Sequence, residues 1–235
     1  GALIVDGGVG IAKNVYIGAG LSVAGADNVF LGRGAGYANT TGIDNIFLGS
    51  YAGKCNTVGY GNVLFGKEVG FCLDTGIHNF YALERAGSNA YNGCDNIAIG
   101  RCAGYEMQSN DNVLLGRNAG RGQVFGHRNV VIGMDAGRCG ERGDNNVMIG
   151  CNAGHCNQGT GNVFLGHNTG SAVTSASGNV VIGCNVSLAS SVLDHQRSLR
   201  CPHPRSRLRS LFGSRSCLAL FSLSFALALH LLLYH

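Results

Sequence analysis

The groups in this chain that could do chemistry are eight His, ten Cys and thirteen Asp plus Glu, and their spacing limits what they can do. His78, His127, His155 and His167 stand in four different places relative to the residues around them, so no catalytic histidine column forms. There is no HExxH pair and no GGxGxDxUx calcium nonapeptide, so the spacing gives no metal site. "GAGLSVAG" (18–25) is glycine-rich, but no Walker lysine follows it to hold a phosphate. Asp27, Asp44, Asp95 and Asp111 recur at intervals, as a turn position would, whereas glycoside cleavage needs two carboxylates clustered around one bond. Cys55 and Cys72 are 17 residues apart, and so are Cys139 and Cys156. Each pair reads either as a disulfide between neighbouring turns of a repeat or as two small apolar side chains at a tight corner. No catalytic, cofactor or metal residues are expected.

The elements that would position these groups follow from a repeat. Asn28, Asn45, Asn62, Asn79, Asn96, Asn112, Asn129, Asn146, Asn162 and Asn179 are separated by 17 residues, or by 16 at two places. Three apolar residues follow each Asn, as in Val29-Phe30-Leu31. Glycine stands four residues after the Asn in every copy except Leu83, and again eight residues after it until Ser187. The one irregular copy, "HNFYALERAG" (78–87), brings Glu84 and Arg85 and is expected to be a degenerate or bulged coil. Binding surfaces tend to lie where a repeat breaks, so Glu84 and Arg85 are the candidate surface-binding residues.

A unit of 17 residues is too short for a pair of helices, and two glycines within it would cost a helix about 1 kcal/mol each. A three-residue apolar run has the length of a strand. The pattern therefore predicts an all-β fold, a parallel β-solenoid with about 17 residues per coil: a short strand, a glycine corner, a second short stretch and another corner. Glycine supplies 39 of 235 residues, yet there is no Gly-x-y period, and 45% of the chain is apolar, too much for a solvated coil. Residues 1–190 contain no proline, as strands inside a stack require.

The first and third apolar places of each run are expected to fill the coil interior, with the middle place (Phe30, Phe47, Leu64 and onward) facing out. An apolar stripe facing out calls for a partner, most simply two further copies of the chain around a three-fold axis. The Asn column has two readings: amides stacked from coil to coil, or a residue type that tolerates the corner.

"DNVFLGRGAGYANTTGIDNIFLGSYAG" (27–53) resembles the repeats of bacteriophage and large-virus tail-fibre proteins, and more loosely the β-roll heads of trimeric autotransporter adhesins. The opening "GALIVDGGVGIAKNVYIGAGLSVAG" (1–25) is similar to a segment that precedes such repeats in viral fibres. The resemblance implies a homotrimeric shaft or head, in a virion or at a cell surface, that binds a host glycan or receptor and catalyses nothing. The alternative is a β-helix enzyme, either a polysaccharide-active one or a hexapeptide-repeat acyltransferase. "Leu31-Gly-Arg-Gly-Ala35" matches one hexapeptide of the acyltransferase pattern, but that fold needs three per coil.

Domain organisation follows the period: lead-in coils over 1–26, a ten-coil solenoid over 27–190, and a tail over 191–235. Residues 1–190 hold eleven Lys plus Arg against twelve Asp plus Glu, while the tail holds six Arg and one Asp. The net charge of +4 thus belongs to the tail, and no nucleic-acid partner is expected for the rod. Residues 217–234 are almost wholly apolar, at the lower length limit for a membrane span. The tail reads as a membrane anchor or as translation in the wrong frame, because Ser, Leu and Arg make up 26 of its 45 residues. No N-terminal signal peptide is visible, and a start at Gly1 reads as a fragment.

Overall fold

In a computed structural model, residues 27–122, 126–139, 143–171 and 175–186 are described, together with the backbone of 197–200. The lead-in coils (1–26) and the apolar segment 217–234 lie outside the described residues. Ten short strands follow one another: β1 (Val29–Leu31), β2 (Ile46–Leu48), β3 (Val63–Phe65), β4 (Phe80–Ala82), β5 (Ile97–Ile99), β6 (Val113–Leu115), β7 (Val130–Ile132), β8 (Val147–Ile149), β9 (Val163–Leu165) and β10 (Val180–Gly183). Each pairs in parallel with the next, so sequence order and sheet order coincide and the chain is a β-solenoid. A further strand, β11 (Arg197–Arg200), pairs with β10 at the same 17-residue offset, Val180 opposite Arg197, one turn beyond the last ladder Asn. The two 16-residue intervals are absorbed outside the strands, since Ile97 still pairs with Val113 and Val147 with Val163.

The faces of the strands are the reverse of the expectation. The middle residue is the buried one, from Phe47 through Leu64, Tyr81 and Leu114 to Phe164 and Val181, while the first and third residues face outward and are half-buried or exposed. The ladder Asn explains why. Its side chain is itself buried inside the coil, and alternation along a strand then sends the next residue out, the middle one in and the third out. Treating the Asn as a surface corner residue shifts the register by one and exchanges the faces.

Counting each Asn as position zero, the core consists of the middle strand residue (+2), a small residue at +7 such as Ala52 or Ala103, and a residue at +11. Size at +2 is balanced at +11: Tyr81 shares its coil with Ala90, and Ala98 shares its coil with Met107. This balancing keeps the interior filled from rung to rung.

Four backbone positions per coil take positive φ and bend the chain. In the first coil these are Asp27 (φ 50°), Gly32 (139°), Gly34 (65°) and Gly36 (58°). The glycine at +4, present in every coil but the one carrying Leu83, is favoured for two reasons. Its φ lies outside the range of side-chain-bearing residues, and a Cβ there would meet the backbone of the next rung, as at Gly116, where Gly133 O would be 2.7 Å away. Among the described residues the second short stretch of each coil is built of turns. They are still tied rung to rung, with the Gly36 N–H donating to Ala52 O (3.0 Å) and the Ala38 N–H to Lys54 O (3.0 Å).

Candidate functional site

The Asn column is a continuous hydrogen-bonded ladder. Each Oδ1 accepts the backbone N–H of the next ladder Asn at 2.8–3.1 Å, from Asn28 to Asn179. Most Nδ2 groups donate to a carbonyl in the corner that follows, for example Asn62 to Gly76 O and Asn79 to Gly93 O, both at 2.7 Å. From Asn45 to Asn179 these residues are fully buried. Positive φ falls on the residue before the Asn and not on the Asn itself. Asp27, Asp44, Asp95 and Asp111 hold that place at φ 50–60°, alongside His78, Arg128 and Asn145. The recurring aspartates are therefore corner residues, and the amides satisfy backbone groups that the three-residue strands leave unpaired.

The irregular copy is not bulged. β4 pairs with β3 and β5 in unbroken register, because Leu83 replaces the +4 glycine at φ 75° and still donates its N–H to Phe65 O (2.8 Å). The irregularity lies in the side chains. Arg85 Nε donates to Glu68 Oε2 at 2.7 Å, Lys67 Nζ is 3.5 Å from Glu68 Oε1, and Lys67 Nζ is 4.0 Å from Glu84 Oε1. The bond from Arg85 holds the Glu68 carboxyl below the ordinary carboxylate range, and the same bond raises Arg85. Glu84 and Arg85 thus belong to a charge-balanced patch of two cations and two anions, with Leu83 exposed beside it. Arg85 is the better anchored of the two candidate residues.

The four histidines serve separate local roles. His78 Nδ1 lies 3.5 Å from Asp95 Oδ1, and its ring meets Tyr60 edge-on. His127 Nδ1 accepts the Asn110 N–H (3.0 Å), and its own backbone N–H donates to Asp144 Oδ1 (2.8 Å). His167 Nδ1 is 3.9 Å from Cys184 Sγ. His155 differs, because its Nδ1 lies 3.1 Å from Cys156 Sγ and both are close to Cys139.

Both same-position cysteine pairs are free thiols here. Burial, then the neighbouring Cys55 thiol, pushes Cys72 up, and burial followed by the Cys139 contact does the same to Cys156. Cys139, His155 and Cys156 form no short metal-binding motif in sequence, because they come together only when the 17-residue stacking places residue 139 beside 155 and 156. Among the described residues, no helix is long and apolar enough to cross a membrane. No protein-family model, curated protein or solved structure matches the chain.

Proposed function

We propose that the chain is a non-catalytic structural shaft that assembles as a homotrimer and presents its surface to a host glycan or receptor, outside the cell or on a virion. The observation that carries this reading is the outward face of the strand ladder. From Val29 and Leu31 to Val180 and Ile182, all twenty outward positions of β1–β10 are apolar, and none is fully buried. Leu31 is 69% exposed and Leu165 42%. Ten rungs at about 4.8 Å give a stripe roughly 43 Å long and two side chains wide, on the order of 400 Å². A lone rod would carry polar residues there. A ridge this narrow is covered most simply when three copies meet around an axis, because the two columns of each chain then face its two neighbours. The face differs from the one the sequence pattern suggested, but the need for a partner is greater, since two columns face out instead of one.

Glu84, Arg85, Lys67 and Glu68 supply polar contacts at the side of the rod. Their balanced charge suits an uncharged glycan better than a polyanion. Glycan-array binding by the full chain, compared with its Glu84→Gln and Arg85→Ala variants, tests this contact; unchanged binding removes it. The shaft reading is tested by sedimentation of the full chain against Leu115→Lys/Ile132→Lys, two outward substitutions on neighbouring rungs. The expected result is a trimer that dissociates in the variant. A monomeric parent, or association that persists in the variant, contradicts it.

A further inference from the structure

The stacking of β7 and β8 brings together three side chains that suit a metal ion. Cys139 and Cys156 both stand ten residues after a ladder Asn, in consecutive coils, and His155 immediately precedes the second thiol. The Cys139 N–H donates to His155 O at 2.7 Å, which fixes the two coils against each other at this corner. The two Sγ atoms and an imidazole nitrogen all lie within 4.8 Å of one another, and Nδ1 is 3.1 Å from Cys156 Sγ. Cys139 is exposed, while His155 and Cys156 are half-buried, so the group is held from below and open at its rim.

We propose that Cys139, His155 and Cys156 bind one thiophilic divalent cation of the zinc type, with the fourth position open to water. Two sulfurs and one imidazole nitrogen form a soft to borderline donor set, which favours such ions over calcium or magnesium. Metal–ligand distances of about 2.3 Å to sulfur and 2.0–2.1 Å to nitrogen put tetrahedral donors roughly 3.4–3.8 Å apart. The three donor atoms, all within 4.8 Å of one another, already stand close to that spacing. Each thiol gives up its proton to solvent as its sulfur binds, so one M²⁺ displaces two protons and leaves a neutral site. The bound ion joins two consecutive coils at this corner.

The molecule contains its own control. Cys55 and Cys72 occupy the same repeat position in two other consecutive coils, with the Cys55 N–H donating to Phe71 O at 3.0 Å. Phe71 stands where the other pair has His155. That pair offers two thiols and no imidazole.

The test is titration of the reduced, metal-free full chain with Co²⁺, read by the thiolate-to-cobalt charge-transfer absorbance, followed by displacement with Zn²⁺. One equivalent of tightly bound ion is expected. The band is lost in Cys139→Ser and Cys156→Ser, binding weakens by about tenfold or more in His155→Gln, and Cys55→Ser/Cys72→Ser keeps both. Circular dichroism checks that each variant is folded, and Cys139→Ser, at an exposed thiol, carries the test if Cys156→Ser misfolds. Absence of the band, its persistence without Cys139, its loss in the Cys55→Ser/Cys72→Ser control, or unchanged affinity in His155→Gln overturns the proposal.

Discussion

Removing one amide from the middle of the Asn ladder has a calculable cost. Asn96 Oδ1 accepts the Asn112 N–H (2.9 Å) and Asn112 Nδ2 (3.1 Å), while its Nδ2 donates to Ser109 O (2.7 Å) and Asn79 Oδ1 (3.2 Å). In Asn96→Ala two of these partners recover. Asn112 Nδ2 keeps Ser109 Oγ and Asn110 O, and Asn79 Oδ1 keeps the Asn96 N–H and the Tyr81 hydroxyl. The Asn112 N–H and Ser109 O do not recover, and both lie in buried residues. An unpaired buried polar group costs about 1–3 kcal/mol, so the substitution destabilises by roughly 2–6 kcal/mol. With a urea slope near 2 kcal/mol/M, the unfolding midpoint falls by about 1–3 M. Asn28→Ala, at a half-buried rung where water reaches the freed groups, has a distinctly smaller effect. Urea unfolding of the two variants followed by circular dichroism measures both. A fall for Asn96→Ala of under about 0.25 M (~0.5 kcal/mol), or equal falls for the two variants, would refute the view that the amides hold the coils together.

Three further outcomes follow from the same geometry. Asn56 is buried at core position +11, and neither amide atom has a partner among the described residues; Leu73 fills the equivalent place one coil on, so Asn56→Leu raises the urea stability by about 1–3 kcal/mol, and any loss contradicts the packing described. Gly116→Ala, at φ 129° and 2.7 Å from Gly133 O, costs about 3 kcal/mol, whereas Gly161→Ala, at φ 69° with open space around it, costs about 1 kcal/mol; equal thermal shifts would show that rung spacing does not require the glycine. Glu68 has a lower pKa folded than unfolded, so the unfolded chain binds more protons in the acid range, and the stability it contributes is present above about pH 4.3 and lost as pH falls through its lowered folded value. The thermal difference between the parent and Arg85→Ala therefore shrinks from pH 7 towards pH 3; a constant difference would dissociate Glu68 from Arg85.

The architecture was legible in the sequence because each coil must repeat the same corners. Gly32 and its successors mark a backbone conformation that side chains rarely adopt, and ten asparagines 16 or 17 residues apart mark the rungs. The direction of the side chains was not legible. Apolar residues at all three strand places erase the alternation that normally separates inside from outside, and the ladder Asn that would have set the register looks in sequence like a surface turn residue. Leu83 misled for a related reason: losing a glycine suggests a bulge, but a φ of 75° lets leucine take the corner in register. Glu84 and Arg85 were visible as an irregularity, whereas their partners Lys67 and Glu68 become neighbours only through stacking one coil below. The group at Cys139 follows the same rule, since its three members span 18 residues of sequence and one rung of structure.

The twenty apolar residues that face outward are tested most directly by the mass of the unmodified full chain. Light scattering across a tenfold dilution, run in parallel on Leu115→Lys/Ile132→Lys, separates association through this face from association through residues 217–234. The expected result is about three times the 24.4 kDa of one chain for the parent, falling to one chain in the variant. A folded 24.4 kDa monomer, or a trimer indifferent to the two lysines, would contradict it.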